Sequence, residues 1–484
     1  MITIEKAKIN KVNGLDRIEC NIFIDSTEES HSIWLDINED YAKYLCIDRS
    51  DAFVVLLLPL AMKLGEDIKC DTPITDEVMY GIERDLVPAL TKYSDGFHYI
   101  SIIAENAPAL PNEGAVGTGC SCGVDSLYTI MTNLNSDYKS LNITHLCVFN
   151  NLTYTQNRTA LWEKLIENAY RIAEILNLPL LVCNSNCMKM LPVPIDRNFL
   201  NTYAILFFAF SLQKLFARYY LGSTNQGYHG FCVKNADKMD CAYYDLLTLS
   251  CLSTNRYKFI SAGGAVTRTD KVRTIANWNI AKKHLKVCNE NKKNCGICGK
   301  CKRTIMSLEA LGSLHNFNEV FDIPFFEDHK YDYYYWLYKR HCIGDTYNED
   351  SFQMLKETSL MKAVISSDKL WGRLFFAEGL YDDGWMKKKL TAKSYRPKTA
   401  DKLLLKIYIA DLIPENTISI YINDSKALTK TVQEGVYDIT VNIPKTDIIS
   451  WSIEFEKSVV PKEENLNEDI RELTGILMQI TFSS

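Results

Sequence analysis

The chain opens with short stretches in which apolar and polar positions alternate. "IECNIFI" (18–24) is the clearest, and a period of two predicts a strand that buries one face. Around 52–63, "AFVVLLLPLAMK" is apolar on all sides, which predicts a buried helix. Residues 1–108 therefore read as a small α+β module. From 109 the pattern changes. "GAVGTG" predicts a strand running into a loop, and "DSLYTIMTNL" a helix. "ITHLCVFN" (143–150) predicts a buried strand and "RTALWEKLIENAYRIAEILN" (158–177) an amphipathic helix. "LPLLVCNSN" (178–186) predicts a strand again, and "FLNTYAILFFAFSLQKLFARYY" (199–220) one long helix leading into "LGSTN". Strands alternating with helices imply parallel βαβ units and a covered sheet. Ligands of such sheets sit beyond the carboxyl ends of the strands, where "GTGCSCGVDS" and "GSTNQGY" both fall.

From about 313 the chain turns aromatic and irregular, as in "YDYYYWLYKRH" (331–341), so 313–395 reads as a mixed, aromatic-rich connector. After "LYDDGW" (380–385) come "KLLLKIYIA", "TISIYIN", "VYDITVNI" and "IISWSIEFE". Each is short, alternating and bounded by turn residues, which predicts an antiparallel β-sandwich over 396–484. The linker between the two patterns is "AKSYRPKTADK" (392–402).

Composition narrows the partners. Of 484 residues, 47% are hydrophobic and 24% charged, and the net charge is −6. Without a long basic run there is no footprint for a nucleic-acid duplex or an anionic membrane. "FVVLLLPLAM" (53–62) and "YAILFFAF" (203–210) are about half of the ~20 residues that span a bilayer. "MITIEKAKIN" has no apolar core of signal-peptide length, so a cytoplasmic protein is expected. There the 16 cysteines are reduced thiols, metal ligands or catalytic groups, not a disulfide scaffold.

Two motifs carry chemistry. In "GTGCSCGVDSLYT" (117–129) a strand end meets a helix start, and N–H groups at a helix N-terminus bind anions. Gly119 and Gly123 let the backbone approach phosphate oxygens, and Ser121 and Ser126 offer hydroxyls. Asp125 suits a magnesium ion or a ribose. Cys122, Val124 and Gly222 complete the candidate nucleotide set. The plainer reading is a helix cap by Asp125 or Ser126. In "VCNENKKNCGICGKCKRT", Cys288, Cys295, Cys298 and Cys301 have the spacing of four thiolates around Zn²⁺, which is favoured over an iron–sulfur cluster because four cysteines close the shell.

"SCGVDS" (121–126) resembles the Ser-Gly-Gly-x-Asp-Ser signature of the PP-loop ATP pyrophosphatases, with Cys122 at the second position, normally Gly. A side chain there crowds the phosphate or demands an unusual backbone angle. It is a tolerated small residue, or its thiol takes part in chemistry. The loop together with a cysteine knuckle about 160 residues further on resembles the 7-cyano-7-deazaguanine synthase branch of that superfamily, over about 110–312. The order of "GSTNQGY" (222–228), "DKMDCAYYDLL" (237–247), "LST" (252–254) and "GGAVTRTDKVRTI" (263–275) is similar to the branch's. Ala242 stands where the branch has an arginine, which leaves the substrate open.

The resemblance implies a parallel-sheet PP-loop (HUP-like) domain over 109–312 that uses ATP and Mg²⁺. Such a domain adenylates a small-molecule or peptide carboxylate, or an amide-type substrate, and releases pyrophosphate. Ammonia, an amine or a sulfur donor then displaces AMP. It aims Arg268 and Lys271 at a phosphate, unless they are an ordinary solvated helix start. Asp240 and Asp245 bind magnesium or substrate, or cap a helix. Two alternatives stand beside this ligase reading: an adenylation-dependent epimerase of cell-wall precursors, and a non-catalytic zinc-stabilised binding protein. A homo-oligomer stays open. The C-terminal sandwich resembles accessory modules of surface-polysaccharide enzymes, where Trp385 and Tyr395 either grip a glycan or partner or pack between domains.

Overall fold

Eleven strands drawn from residues 2–262 hydrogen-bond into one sheet in the computed structural model, which describes residues 1–150, 159–188, 197–224, 227–368, 374–381, 383–396, 400–446, 448–464, 466 and 469–483. Five of these strands are mutually parallel: Ala115–Gly119, His145–Asn150, Leu180–Ser185, Phe216–Gly222 and Lys258–Ala262. Numbered along the chain, they lie side by side as fifth, fourth, first, second, third. This is the doubly wound order, and its direction of growth reverses between the first and the fourth strand.

The expected boundary at 108/109 is not a seam. Leu180–Ser185 pairs antiparallel with Glu29–Ile37, and the sheet continues through Leu15–Ile24, Ile2–Ile4, Ile68–Cys70 and Ile102–Ile103. The helix Asp51–Leu64 is buried from Asp51 to Met62 and packs on Arg197–Ser211, with Phe53 edge-on to Phe207 at 5.4 Å. A helix apolar all round cannot remain on the surface of a separate small module, so the two segments share one core. Inside it, the Asp51 carboxylate accepts from Thr75 N at 2.8 Å, Thr75 Oγ1 at 2.6 Å and Gln213 Nε2 at 3.1 Å.

The long helix expected over 199–220 is two elements. Arg197–Ser211 is helical, and Phe216–Gly222 is the fourth parallel strand. The aromatic run "FARYY" suits a strand, and the sheet supplies its slot. Gly117 on the first strand makes room, since a Cβ there would lie 2.7 Å from the Phe216 ring.

The region 313–395 is likewise not a connector. The chain divides into Met1–Leu355 and Lys356–Ser484. "YDYYYWLYKRH" lies in the helix Lys330–Cys342, which buries Tyr333, Tyr334 and Leu337. In the second unit, Leu374–Leu380 pairs with Met386–Tyr395, and Met386–Tyr395 with Ile448–Phe455, so the sandwich-like part begins before 396. A five-stranded and a three-stranded antiparallel sheet enclose a core that includes Leu405, Ile407, Ile420, Trp451 and Ile453. Trp385 is partly buried against a small cluster of Ile413, Val459 and Leu473; the Tyr395 side chain lies outside the described residues. Among the described residues no helix is long and apolar enough to cross a membrane.

Candidate functional site

The crevice of a doubly wound sheet opens where strand order reverses. Here that point lies between Ala115–Gly119 and Phe216–Gly222. After the first strand the chain makes a four-residue loop and enters the helix Val124–Asn133, whose N-cap is Gly123. No side chain caps this helix. Ser126 Oγ donates back to Gly123 O at 3.1 Å and receives Ser121 Oγ at 3.1 Å. Cys122 holds the left-handed backbone, φ 59°, a region where glycine is favoured. Its carbonyl accepts from Lys286 N at 2.8 Å. Its buried thiol points at Cys120 O, 3.8 Å away. The Cys120 thiol beside it, together with burial, pushes the Cys122 thiol well up, the opposite of an activated thiolate. Gly222 ends the fourth strand against this helix; a Cβ there would lie 3.3 Å from the Asp125 carbonyl carbon. Gly119 has no such constraint, its nearest atom being Tyr219 Oη at 3.7 Å.

Asp125 projects from the first turn and gathers charge. Arg268 Nη1 binds its Oδ2, and Lys271 Nζ lies 3.1 Å from its Oδ1. Lys271 Nζ also donates to Ser223 O, at the end of the fourth strand. Both bases sit on Arg268–Ile275, which starts from a reciprocal capping box between Thr267 and Asp270. This is not a solvated helix start, because their side chains are 12% and 1% exposed. Burial pushes the Asp125 carboxyl up, but the Arg268 and Lys271 charges outweigh it and hold it below the ordinary value. Burial also pushes the Lys271 ammonium down, opposed by Asp125. Each Asp125 oxygen thus engages a cation, and the carboxylate anchors the basic pair.

Asp240 and Asp245 lie elsewhere in the chemistry. Asp240 caps a short 3₁₀ turn by accepting from Ala242 N at 2.9 Å. Asp245 is buried with Thr202 Oγ1 at 2.6 Å. In "GSTNQGY", Asn225 and Gln226 lie outside the described residues. Gly227 packs on Gly264 so closely that a Cβ would lie 2.4 Å from the Gly264 carbonyl oxygen.

The four cysteines come together. All four sulfurs lie within 4.8 Å of one another, with Cys295–Cys301 at 3.9 Å and Cys288–Cys298 at 4.0 Å. Thiolates about 2.3 Å from a tetrahedral ion stand about 3.8 Å apart, so the donor set fits Zn²⁺. Gly296 takes φ 78°, which lets Cys298 N donate to Cys295 Sγ at 3.4 Å. Asn294 joins the halves of the knuckle, accepting from Val287 N and Cys288 N and donating to Leu285 O. Among the described residues this is the one group of three or more metal-ligating side chains.

The knuckle also brings in bases that the sequence reading passed over. Lys286 N holds the Cys122 carbonyl, and Lys286 Nζ donates to Cys288 O. Lys300 and Arg303, on the helix Gly299–Ala310, both feel the Arg268 charge. Their only trace in the sequence is "GKCKR" (299–303), where the cysteine spacing absorbed the reading.

No family model matches the chain, and no curated protein does. Similar solved structures include a family 35 carbohydrate binding module from an environmental isolate, at 14% identity over 23% of this chain and 87% of that one, TM-score 0.17. A family 35 module from Paenibacillus barcinonensis follows at 15% identity, 23% and 91% coverage, TM-score 0.15. A family GH115 4-O-methyl-alpha-glucuronidase shares 9% identity over 45% of this chain and 32% of that one, TM-score 0.21. At such TM-scores the likeness carries no argument for this chain.

Proposed function

We propose that the chain is a PP-loop-type enzyme that activates a carboxylate or amide-type substrate with ATP, releasing pyrophosphate, and passes the activated group to a nitrogen or sulfur nucleophile. The observation that carries this reading is the convergence of Arg268 and Lys271 on Asp125 beside the helix-opening loop 120–123, at the reversal point of a parallel sheet. The helix-start amides and the two cations meet the charge of a triphosphate, and Mg²⁺ arrives on the nucleotide. A substrate oxygen attacks the α-phosphate, pyrophosphate leaves, and the nucleophile then displaces AMP. Holding both partners in line supplies much of the rate, and cations aimed at the phosphates supply the electrostatic part. Zn²⁺ in the four-cysteine centre contributes folding free energy and holds the 284–288 segment that fastens Cys122.

Phosphorus NMR of the protein with Mg-ATP, ammonium and a metabolite extract tests this directly. AMP with pyrophosphate is the expected outcome; ADP with phosphate refutes the reading. The left-handed Cys122, with its buried side chain in the loop, favours one second reading, a zinc-stabilised nucleotide-binding protein without turnover. ATP binding in the absence of cleavage would select it.

A further inference from the structure

A cleft that shares no residue with the Asp125 cluster opens between the turn after the helix Val87–Lys92 and the segment after Gly227–Gly230. Its volume is about 630 Å³, within the range of about 300–1,000 Å³ that small-molecule sites occupy. Local structure fixes both walls. Asn235 N donates to Tyr93 O at 2.8 Å and so joins them, and Cys232 N donates to Tyr243 O at 2.9 Å. Asn235 turns through left-handed backbone, φ 59°, into the short turn Ala236–Lys238, a conformation that asparagine tolerates. Phe97 and Ala236 root the two segments in the main core. Gly96 lets them close, since a Cβ there would lie 2.4 Å from Asp237 Oδ2.

The lining combines rings with charge. Tyr93 and Phe231 line the cleft while 55% and 45% exposed. Ring surface left open to water inside a concavity is what a second ring covers, face to face or edge to face. The charged lining groups are Lys92, Lys234 and Asp95, all exposed, and none of them has an ion-pair partner among the described residues. Two ammonium groups against one carboxylate leave one positive charge to be met. The Asp237 carboxylate, buried behind the wall, makes no ligand contact, but its field opposes a multiply charged anion. A single negative charge therefore suits the lining better than two, which selects a carboxylate over a phosphate dianion.

We infer that this cleft is a binding site for a small ring compound carrying one carboxylate. The ring lies against Tyr93 and Phe231, and Lys92 and Lys234 take the carboxylate. The inference goes beyond the adenylation reading and does not rest on it, because the two sites have no residue in common.

The test is calorimetric titration of the full chain with 2-naphthoate, 2-naphthamide and 2,6-naphthalenedicarboxylate. The expected result is one naphthoate bound per chain, with the amide and the dicarboxylate both held more weakly. Lys92→Gln and Lys234→Gln each weaken naphthoate about fivefold, the scale of a solvent-accessible charge pair, and leave the amide unchanged. Phe231→Ala weakens naphthoate and amide alike, by about fivefold to tenfold. Asp95→Asn brings the dicarboxylate close to the affinity of naphthoate. Naphthoate affinity untouched by the lysine and Phe231 substitutions overturns the inference, as does equal affinity for the amide or the absence of saturable binding. Competition between naphthoate and α,β-methylene-ATP places naphthoate in the nucleotide site; it overturns the inference and leaves the adenylation reading standing. The substituted positions are exposed, so the fold is retained, and melting temperatures near that of the unaltered chain check this. Where Phe231→Ala does not fold, Tyr93→Ala takes its place.

Discussion

Replacing Cys122 by Gly and by Ala separates backbone strain from side-chain loss. Both variants remove the same buried thiol, so the space left behind is nearly common to the pair. They differ at φ 59°. A residue with a Cβ pays about 1–2 kcal/mol in the left-handed region, which Ala retains and Gly sheds. Gly gives back about 0.5–1 kcal/mol through its larger unfolded-state entropy. The balance predicts Cys122→Gly more stable than Cys122→Ala by about 0.5–1 kcal/mol. At Tyr170, exposed within the helix Thr159–Leu176, the order reverses, and Ala exceeds Gly by about 1 kcal/mol. Denaturant unfolding of the four variants measures both differences under one set of conditions. Cys122→Ala as stable as Cys122→Gly, with the Tyr170 pair behaving normally, would refute the strained loop. The same Gly variant should retain pyrophosphate release, because the thiol is raised and buried and not poised as a nucleophile. A loss of about 100-fold at unchanged ATP affinity would reinstate thiol chemistry.

Three further outcomes are expected. Metal analysis of protein purified without chelator should give about one Zn²⁺ per chain, and Cys298→Ser should lose the metal and destabilise the first unit; iron with sulfide would contradict the site. Asp125→Asn should abolish AMP formation and also cost about 3 kcal/mol, because it strands the buried Lys271; adding Lys271→Met should recover most of the stability and none of the activity, as read by unfolding and turnover together. Asp245 loses its proton at about 7 in the folded chain, raised chiefly by burial, against about 3.9 when unfolded. Between those values the folded state binds the extra proton, so this group's contribution to stability falls as pH rises. Asp245→Asn should therefore raise the melting temperature at pH 8 and leave it nearly unchanged at pH 4, and an equal gain at both would count against the buried carboxyl.

Local pattern was enough for whatever depends on neighbours in sequence. Alternation placed Leu15–Ile24 and, in the second unit, Lys402–Ile409, Asn416–Ile422, Gly435–Asn442 and Ile448–Phe455, and apolar continuity placed Asp51–Leu64. Turn chemistry put a loop at 120–123, and spacing alone gathered Cys288, Cys295, Cys298 and Cys301, since four thiolates within 14 residues need only a tight backbone to meet. The rest was decided by burial between distant segments. Whether "FARYY" extends a helix or forms a strand depends on an open slot beside Ala115–Gly119, which no local window contains. That 1–108 and 109–312 share one sheet follows from pairing of Asp36 with Asn184, far apart in sequence. The charged cluster is of the same kind. Asp125 meets Arg268 and Lys271 because parallel strands carry their loops to one edge, and charges drawn together there lose the solvent that would screen them apart.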